Sequence, residues 1–311
     1  MSRTLKTKHE EWQDKTSSEK LIIQRWKTLV FHFSSRHLTF EHDTLPAFSG
    51  FAKQFQAYNL GKYYAGMWQS HLHSQLVWSS GSEGLGSNRS KSYIAPTWSW
   101  ASVMGTVGTG LQSVHQLGRP AFALHKLGVP DLDLVGRIVD VQCTLAGLDP
   151  TGAVMGGTLT IRTTIIEAKL ISDLEKDSTV RLYGPHEYVF WIVHKTNRER
   201  IRFKPDSITD IDVLSDETDV ICAQLTIRPE WDSLRARFES IENIVTVSYF
   251  LVLRLSKRAP SSFERLGLLK IYEHRTSGED TLVSIKDGGE VAQSGAKVWL
   301  SGSETRTVTI I

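Results

Sequence analysis

The chain has 311 residues, 40% of them hydrophobic and 23% charged, with a formal net charge of +2. This is an ordinary soluble globular composition, long enough for two modest domains or one large one. It excludes two partner classes from the expectation: the 36 basic residues are interspersed with 34 acidic ones, without the dense basic footprint of a nucleic-acid binder, and no apolar run is long enough to cross a bilayer as a helix. The nearest basic cluster, RLSKRAP at residues 254–260, reads as a solvated turn after a strand. Cys143 and Cys222 are the only cysteines, too few for a disulfide framework or a zinc site and suited to a reducing interior. The N-terminal MSRTLKTKHEEWQDKT is charged and has no apolar signal core. A cytoplasmic protein without membrane or nucleic-acid partner is expected.

Helices come first. TSSEKLIIQRWKTLVFHFSS opens with a capping-box pattern, Thr16 and Glu19. Leu21, Ile22, Trp26, Leu29, Val30 and Phe33 then recur at helical spacing. In EHDTLPAFSGFAKQFQAY, Asp43 or Thr44 is the expected cap, Pro46 suits a first turn, and Leu45, Phe48, Ala52 and Phe55 share one side. Asn59 to Gly61 supplies the stop. In KYYAGMWQSHLHSQLVW, Tyr64, Met67, Trp68 and Leu72 again have helical spacing, before Leu76, Val77 and Trp78 turn strand-like.

The Ser/Gly-rich residues 79–92 read as a mobile loop. Beyond it the pattern becomes strands and turns. GRIVDVQCTLAG leads into the turn LDPTG and then AVMGGTLTIRTTII, where Gly156-Gly157 is a hairpin-turn signal and Leu159, Ile161 and Ile165 alternate with polar residues. EYVFWIVHK, ERIRFKP, DVICAQLTI, NIVTVSYFLVLRL, LGLLKIYE, AKVWL and TRTVTII continue the series, with Gly184-Pro185, Pro205-Asp206 and Gly288-Gly289 as punctuation. RPEWDSLRARFESIEN is expected as one short helix among them. The fold class is therefore α+β: a helical segment at residues 1–75 and a β-rich domain at 76–311 carrying the 79–92 loop. Strands without regularly intervening helices favour an antiparallel sandwich or barrel-like domain.

No complete catalytic motif is present. GSEGLG and GTVGTG lack the following Lys-Ser/Thr and helix that a phosphate cradle needs. His71 and His73, two residues apart, would not share a helix face and have no third ligand at recognisable spacing. No G-x-S-x-G elbow occurs, and both cysteines sit in strand patterns as small buried hydrophobes. No catalytic residue, cofactor or metal is assigned. APTWSWASV, residues 95–103, places Trp98 and Trp100 on one face of an expected strand. A buried indole removes roughly 150–250 Å² from water, so the pair reads as a packing wedge between helices and sheet. The competing reading is a stacking platform for bases or sugars.

At these residues the chain resembles the later part of fungal heterokaryon incompatibility (HET) domain proteins. Such proteins carry D-x-L-P-A-x-S-G-x-A, Y-x-A-G-L-W and A-P-S-W-S-W-A-S-V segments. Residues 43–52, 63–68 and 95–103 match them in order, with Met67 for the usual leucine and Thr97 for the usual serine. Residues 145–162, FERLGLL and the terminal RTVTII are similar to the family's C-terminal region. The resemblance makes Asp43, Leu45, Pro46, Gly50, Gly66, Trp68, Trp98, Trp100, Gly156 and Gly157 family-signature positions with structural roles. The family's R-G-W-T-L-Q-E-type stretch is absent from the 42 residues before Asp43. Any nucleotide-cleaving chemistry, of the kind a likeness to TIR domains would supply, is expected in that upstream part. What the resemblance implies here is a non-catalytic regulatory or interaction module in allorecognition and programmed cell death, whose partner is another protein such as a full-length HET-type relative. It leaves open a companion module, a truncated paralogue or a start lying upstream of Met1. A divergent NAD-hydrolysing enzyme and a ligand-binding β-sandwich are the alternatives.

Overall fold

The structure, a computed structural model, describes residues 8–36, 38–81, 88–108, 133–174, 188–210, 217–231, 244–276, 279–284, 292–293 and 299–311. Helix α1, Lys8–Ser34, starts before the expected cap. Thr16 lies inside it, because the preceding KHEEWQDK run is itself made largely of helix-compatible residues. Ile23, Trp26 and Val30 are buried, whereas Leu21, expected on the same stripe, is exposed.

A 3-10 turn, Glu41–Asp43, feeds α2, Thr44–Phe55. The inward face is the expected one, with Leu45, Phe48, Ala52 and Phe55 buried. Asp43 occupies the cap position but its side chain makes no capping hydrogen bond; the Thr44 hydroxyl donates back to the Glu41 carbonyl at 2.7 Å. The chain stops where expected, with Asn59 left-handed at φ 54° and Gly61 at φ 79°.

The third expected helix is mostly a hairpin. β1, Tyr63–Tyr64, pairs with β2, Met67–Trp68. Ala65 (φ 44°) and Gly66 (φ 94°) form a turn with both central φ angles positive, the twist that suits a two-residue hairpin. Only Leu72–Leu76, α3, is helical. The Gln75 amide completes the hairpin as a surrogate strand: its Oε1 accepts from the Trp68 amide at 3.0 Å, and its Nε2 donates to the Trp68 carbonyl at 2.8 Å. That local satisfaction of the backbone outweighs the helical spacing of the apolar residues.

β3, Ser79–Ser80, pairs with β4, Val107–Gly108. Of the expected loop at 79–92, residues 82–87 lie outside the described residues. The remaining strands are β5 Asp133–Leu134, β6 Arg137–Leu145, β7 Val154–Leu174, β8 Tyr188–His194, β9 Arg200–Phe203, β10 Glu217–Trp231, β11 Ile244–Leu255, β12 Phe263–Thr276, β13 Glu279–Ser284, β14 Ala292–Gln293 and β15 Glu304–Ile310. Along one sheet they run β14-β13-β12-β11-β10-β7-β8-β9, antiparallel throughout. The long β7 changes neighbours along its length. Its first half lies between β6 and β15, its second half between β10 and β8. β15 also meets β12 in one parallel bridge, Phe263↔Ile310, so β7, β10, β11, β12 and β15 close into a ring. The fold class is α+β, a short helical region followed by a large, mostly antiparallel sheet.

Several expected turns and elements shift. Gly156-Gly157 is not a turn; both glycines lie inside β7, opposite Thr144 and Cys143. The hairpin turn is at LDPTG, where the Asp149 carboxylate accepts from the Thr151 amide at 3.0 Å and hydroxyl at 2.8 Å. Gly157 is a glycine for packing, since a Cβ there would sit 2.6 Å from the Pro96 ring. Residues 228–231 of the expected helix are strand, paired with residues 244–247 of β11; residues 232–243 lie outside the described residues, as do Gly184-Pro185, Gly288-Gly289 and residues 294–298 of AKVWL. Trp299 and Leu300 are not in a strand.

The central strands bury both faces. Val247, Tyr249, Leu251 and Leu253 of β11 join a core cluster with Trp26, Phe48, Trp98 and Trp100. Phe250 and Val252 face a second cluster with Phe190, Phe203 and Leu269. The first core thus spans helices and sheet without interruption.

Candidate functional site

The junction begins at the Gly66 carbonyl. Two indoles donate to it, Trp26 Nε1 at 3.1 Å and Trp100 Nε1 at 2.9 Å. A Cβ on Gly66 would lie 2.5 Å from Trp100 Nε1, so the sharp turn and the missing side chain are both needed there. The Ser99 hydroxyl donates to the neighbouring Ala65 carbonyl at 2.5 Å. Trp68 stacks edge-on against Trp26, with centroids 5.7 Å apart. The expected WSW strand is absent. Thr97–Ser99 turn and Trp100–Ser102 form a 3-10 helix capped by Ser99, whose Oγ accepts from the Ala101 amide at 3.1 Å. That cap replaces the strand ladder while keeping both indoles inside, Trp98 fully buried and Trp100 nearly so.

Trp98, expected in the wedge, packs at the second half of the junction, beside two residues that sequence reasoning did not single out, Arg265 and Asp206. The Trp98 carbonyl accepts from Trp78 Nε1 at 2.9 Å. The Arg265 guanidinium lies over the Trp78 ring, 3.7 Å from its centroid. Arg265 is fully buried and Asp206 is 1% exposed. Arg265 Nε donates to Asp206 Oδ2 at 2.7 Å, Nη1 to the Leu76 carbonyl at 2.8 Å, and Nη2 to the Trp78 carbonyl. Burial pulls the guanidinium below its ordinary range, and the Asp206 charge opposes that shift. A buried guanidinium with its donors shared between a carboxylate and carbonyls is the arrangement that offsets desolvation.

A β-bulge sets this geometry. Leu253 opposes Arg265 and Val252 opposes Gly267, leaving Leu266 as the extra residue. Leu266 turns into the second core and its carbonyl accepts from the Asp206 amide at 2.7 Å. Gly267 admits the Phe203 ring, which a Cβ would meet at 2.6 Å. The signal available in the sequence was a lone arginine inside the apolar strand FERLGLLKIY. Its partner, in the Pro205-Asp206 turn, is 59 residues away.

Arg89 fastens the other side. Its Nε pairs with Asp210 Oδ2 at 2.5 Å, Nη1 with the Ser102 hydroxyl, and Nη2 with the Arg265 carbonyl at 2.8 Å. Burial pushes the Asp210 carboxyl up, against the lowering effect of Arg89. Thr97 ties together the start of β12 and the end of β15: its amide donates to the Ile311 carbonyl at 3.0 Å, its hydroxyl accepts from the Arg265 amide at 3.0 Å, and the Ile311 amide donates to the Phe263 carbonyl at 2.9 Å.

Above this network lies a cleft of about 1350 Å³. One wall is the 88–97 segment with Tyr93; the others are Gly156–Thr158, Thr209–Asp210 and the turn from Arg254 to Glu264. Arg254 pairs with Glu264 at 3.0 Å, and the Ser256 hydroxyl donates to the same carboxylate at 2.9 Å. Burial pushes the Tyr93 hydroxyl up to about 12.

The signature positions divide into two groups. Gly66, Trp68, Trp98, Trp100 and Gly157 converge on the junction with Leu45 in the same core, while Gly156 lies beside Gly157 at the cleft. Asp43, Pro46 and Gly50 lie on the partly or fully exposed side of the α2 region, away from it. His71 precedes α3 and sits 3.8 Å from Glu19; His73 Nε2 meets the Gly136 carbonyl at 2.5 Å, and burial lowers its pKa. Burial pushes the Cys143 and Cys222 thiols up to about 12, which keeps both sulfurs in the weakly nucleophilic thiol form. Among the described residues no group of three His, Cys, Asp or Glu side chains could hold a metal ion, and no helix is long and apolar enough to cross a membrane. No protein-family model matches the chain, and neither the curated proteins nor the solved structures searched include a match.

Proposed function

We propose that the chain is a non-catalytic regulatory or interaction module of a fungal heterokaryon-incompatibility type protein, acting in allorecognition and programmed cell death. It works in the cytoplasm by binding another protein, with a full-length HET-type relative as the first candidate, and uses no cofactor, nucleic acid or membrane. The observation that carries this reading is how the junction spends its polar groups. Gly66, Trp100, Thr97 and Arg265 lie within resembling segments, and their donors and acceptors go to one another, to the Asp206 carboxylate and to backbone carbonyls. Side chains so committed hold a surface in shape; they are not free to move protons to and from a substrate.

Co-expression of the intact chain with a full-length HET-type protein tests the proposal. A stoichiometric complex that alters the relative's cell-death output, with no NAD consumption by the purified chain, is the expected result. NAD turnover by the chain alone at an enzymatic rate, on the order of one per second, would establish the hydrolase reading instead. A blue-shifted tryptophan emission quenched by a glycan, with no protein complex, would establish the ligand-binding sandwich.

A further inference from the structure

The cleft carries more cationic charge than its own carboxylates neutralise. Arg265 is matched by Asp206, Arg89 by Asp210 and Arg254 by Glu264. Lys91, Lys257 and Arg258 remain on the lining, three cations against two further carboxylates, those of Glu41 and of the terminal residue Ile311. Arg258 approaches the already paired Glu264 only to 3.9 Å, and its side chain is 75% exposed. Arg254 Nε is buried without a hydrogen-bond partner among the described residues. Ser90, Ser92 and Thr158 also line the cleft, and Tyr93 is 43% exposed.

We infer that this cleft receives an acidic, extended segment of a partner protein, an inference that rests on the interaction reading above. Three features select that occupant. At about 1350 Å³ the space exceeds the roughly 300–1,000 Å³ of compact small-molecule pockets. The uncompensated charges are on exposed lining residues, placed to steer an acidic chain and fix its register. The half-exposed Tyr93 ring offers a rigid amphipathic contact between them. The floor does not need to move, because the Arg265 and Arg89 networks already hold it.

The test is fluorescence anisotropy of a fluorescein-labelled glutamate-rich peptide with the intact chain, using inorganic pyrophosphate as competitor. Saturable binding is expected, weakened about tenfold or more by Lys257→Glu with Arg258→Glu and by raising salt from about 0.05 to 0.3 M. Lys62→Glu, a charge reversal on an exposed residue outside the cleft lining, should leave affinity within about twofold. Circular dichroism of both variants should match the parent. Absence of saturation, an equal loss in Lys62→Glu, or displacement by pyrophosphate at concentrations below those of the peptide overturns the inference. The two readings fail separately. If the double variant still forms the complex with a full-length relative, the module reading stands and the cleft assignment falls; if the peptide binds but no relative does, the reverse holds.

Discussion

Arg265→Met lowers the free energy of unfolding by about 3–5 kcal/mol, the range for breaking a buried ion pair from one side. The loss arises less from the missing attraction than from what remains. Asp206, 1% exposed, keeps a charge with no counter-ion, and the carbonyls of Leu76 and Trp78 lose their donors. Adding Asp206→Leu to Arg265→Met removes the stranded carboxylate and restores part of the stability, so the two changes are non-additive. Urea unfolding of the parent, both single variants and the double variant measures this directly. A single-variant loss below about 1 kcal/mol would mean that the pair is solvated and does not hold the junction.

Gly66→Ala is the second large effect, a loss of about 3 kcal/mol or more. Two costs add: a left-handed φ of 94° that L side chains rarely adopt, and a Cβ 2.5 Å from Trp100 Nε1. The indole cannot retreat without releasing its bond to the Gly66 carbonyl and its edge contact with Phe48, whose centroid is 5.1 Å away. Gly50→Ala is the matched control. Gly50 is a solvent-facing residue of α2 with nothing within 4 Å of a built Cβ, so alanine there raises stability by about 0.5–1 kcal/mol. Thermal unfolding of the two variants should move Tm in opposite directions. A shared direction would contradict the roles assigned to these two glycines.

Elements whose instructions are local were readable from the chain. β11 spans Ile244–Leu255, the bounds of the apolar run itself, and α2 shows its apolar face and left-handed stop at the expected residues. Where apolar spacing fitted two structures, the wrong one was favoured. Tyr64, Met67 and Trp68 fit a helix by periodicity, but Ala65-Gly66 reverses the chain and the Gln75 amide satisfies the hairpin backbone. The tryptophans of WSW were legible as large apolar side chains, whereas the serine that caps their 3-10 turn was not. The junction was least legible. Arg265 reaches Asp206 across 59 residues and Arg89 reaches Asp210 across 121, and a bulge decides which side chain of β12 turns inward. Pairings of that range depend on the closed sheet, so no local spacing reports them.

These junction contacts make helices and sheet one body, on which the cleft is built. Differential scanning calorimetry of the intact chain tests it most directly. One transition is predicted, with calorimetric and van't Hoff enthalpies in agreement, because Trp26, Phe48, Trp100, Leu159 and Tyr249 belong to a single core cluster. Two separable transitions, with the helical region melting ahead of the sheet, would contradict it.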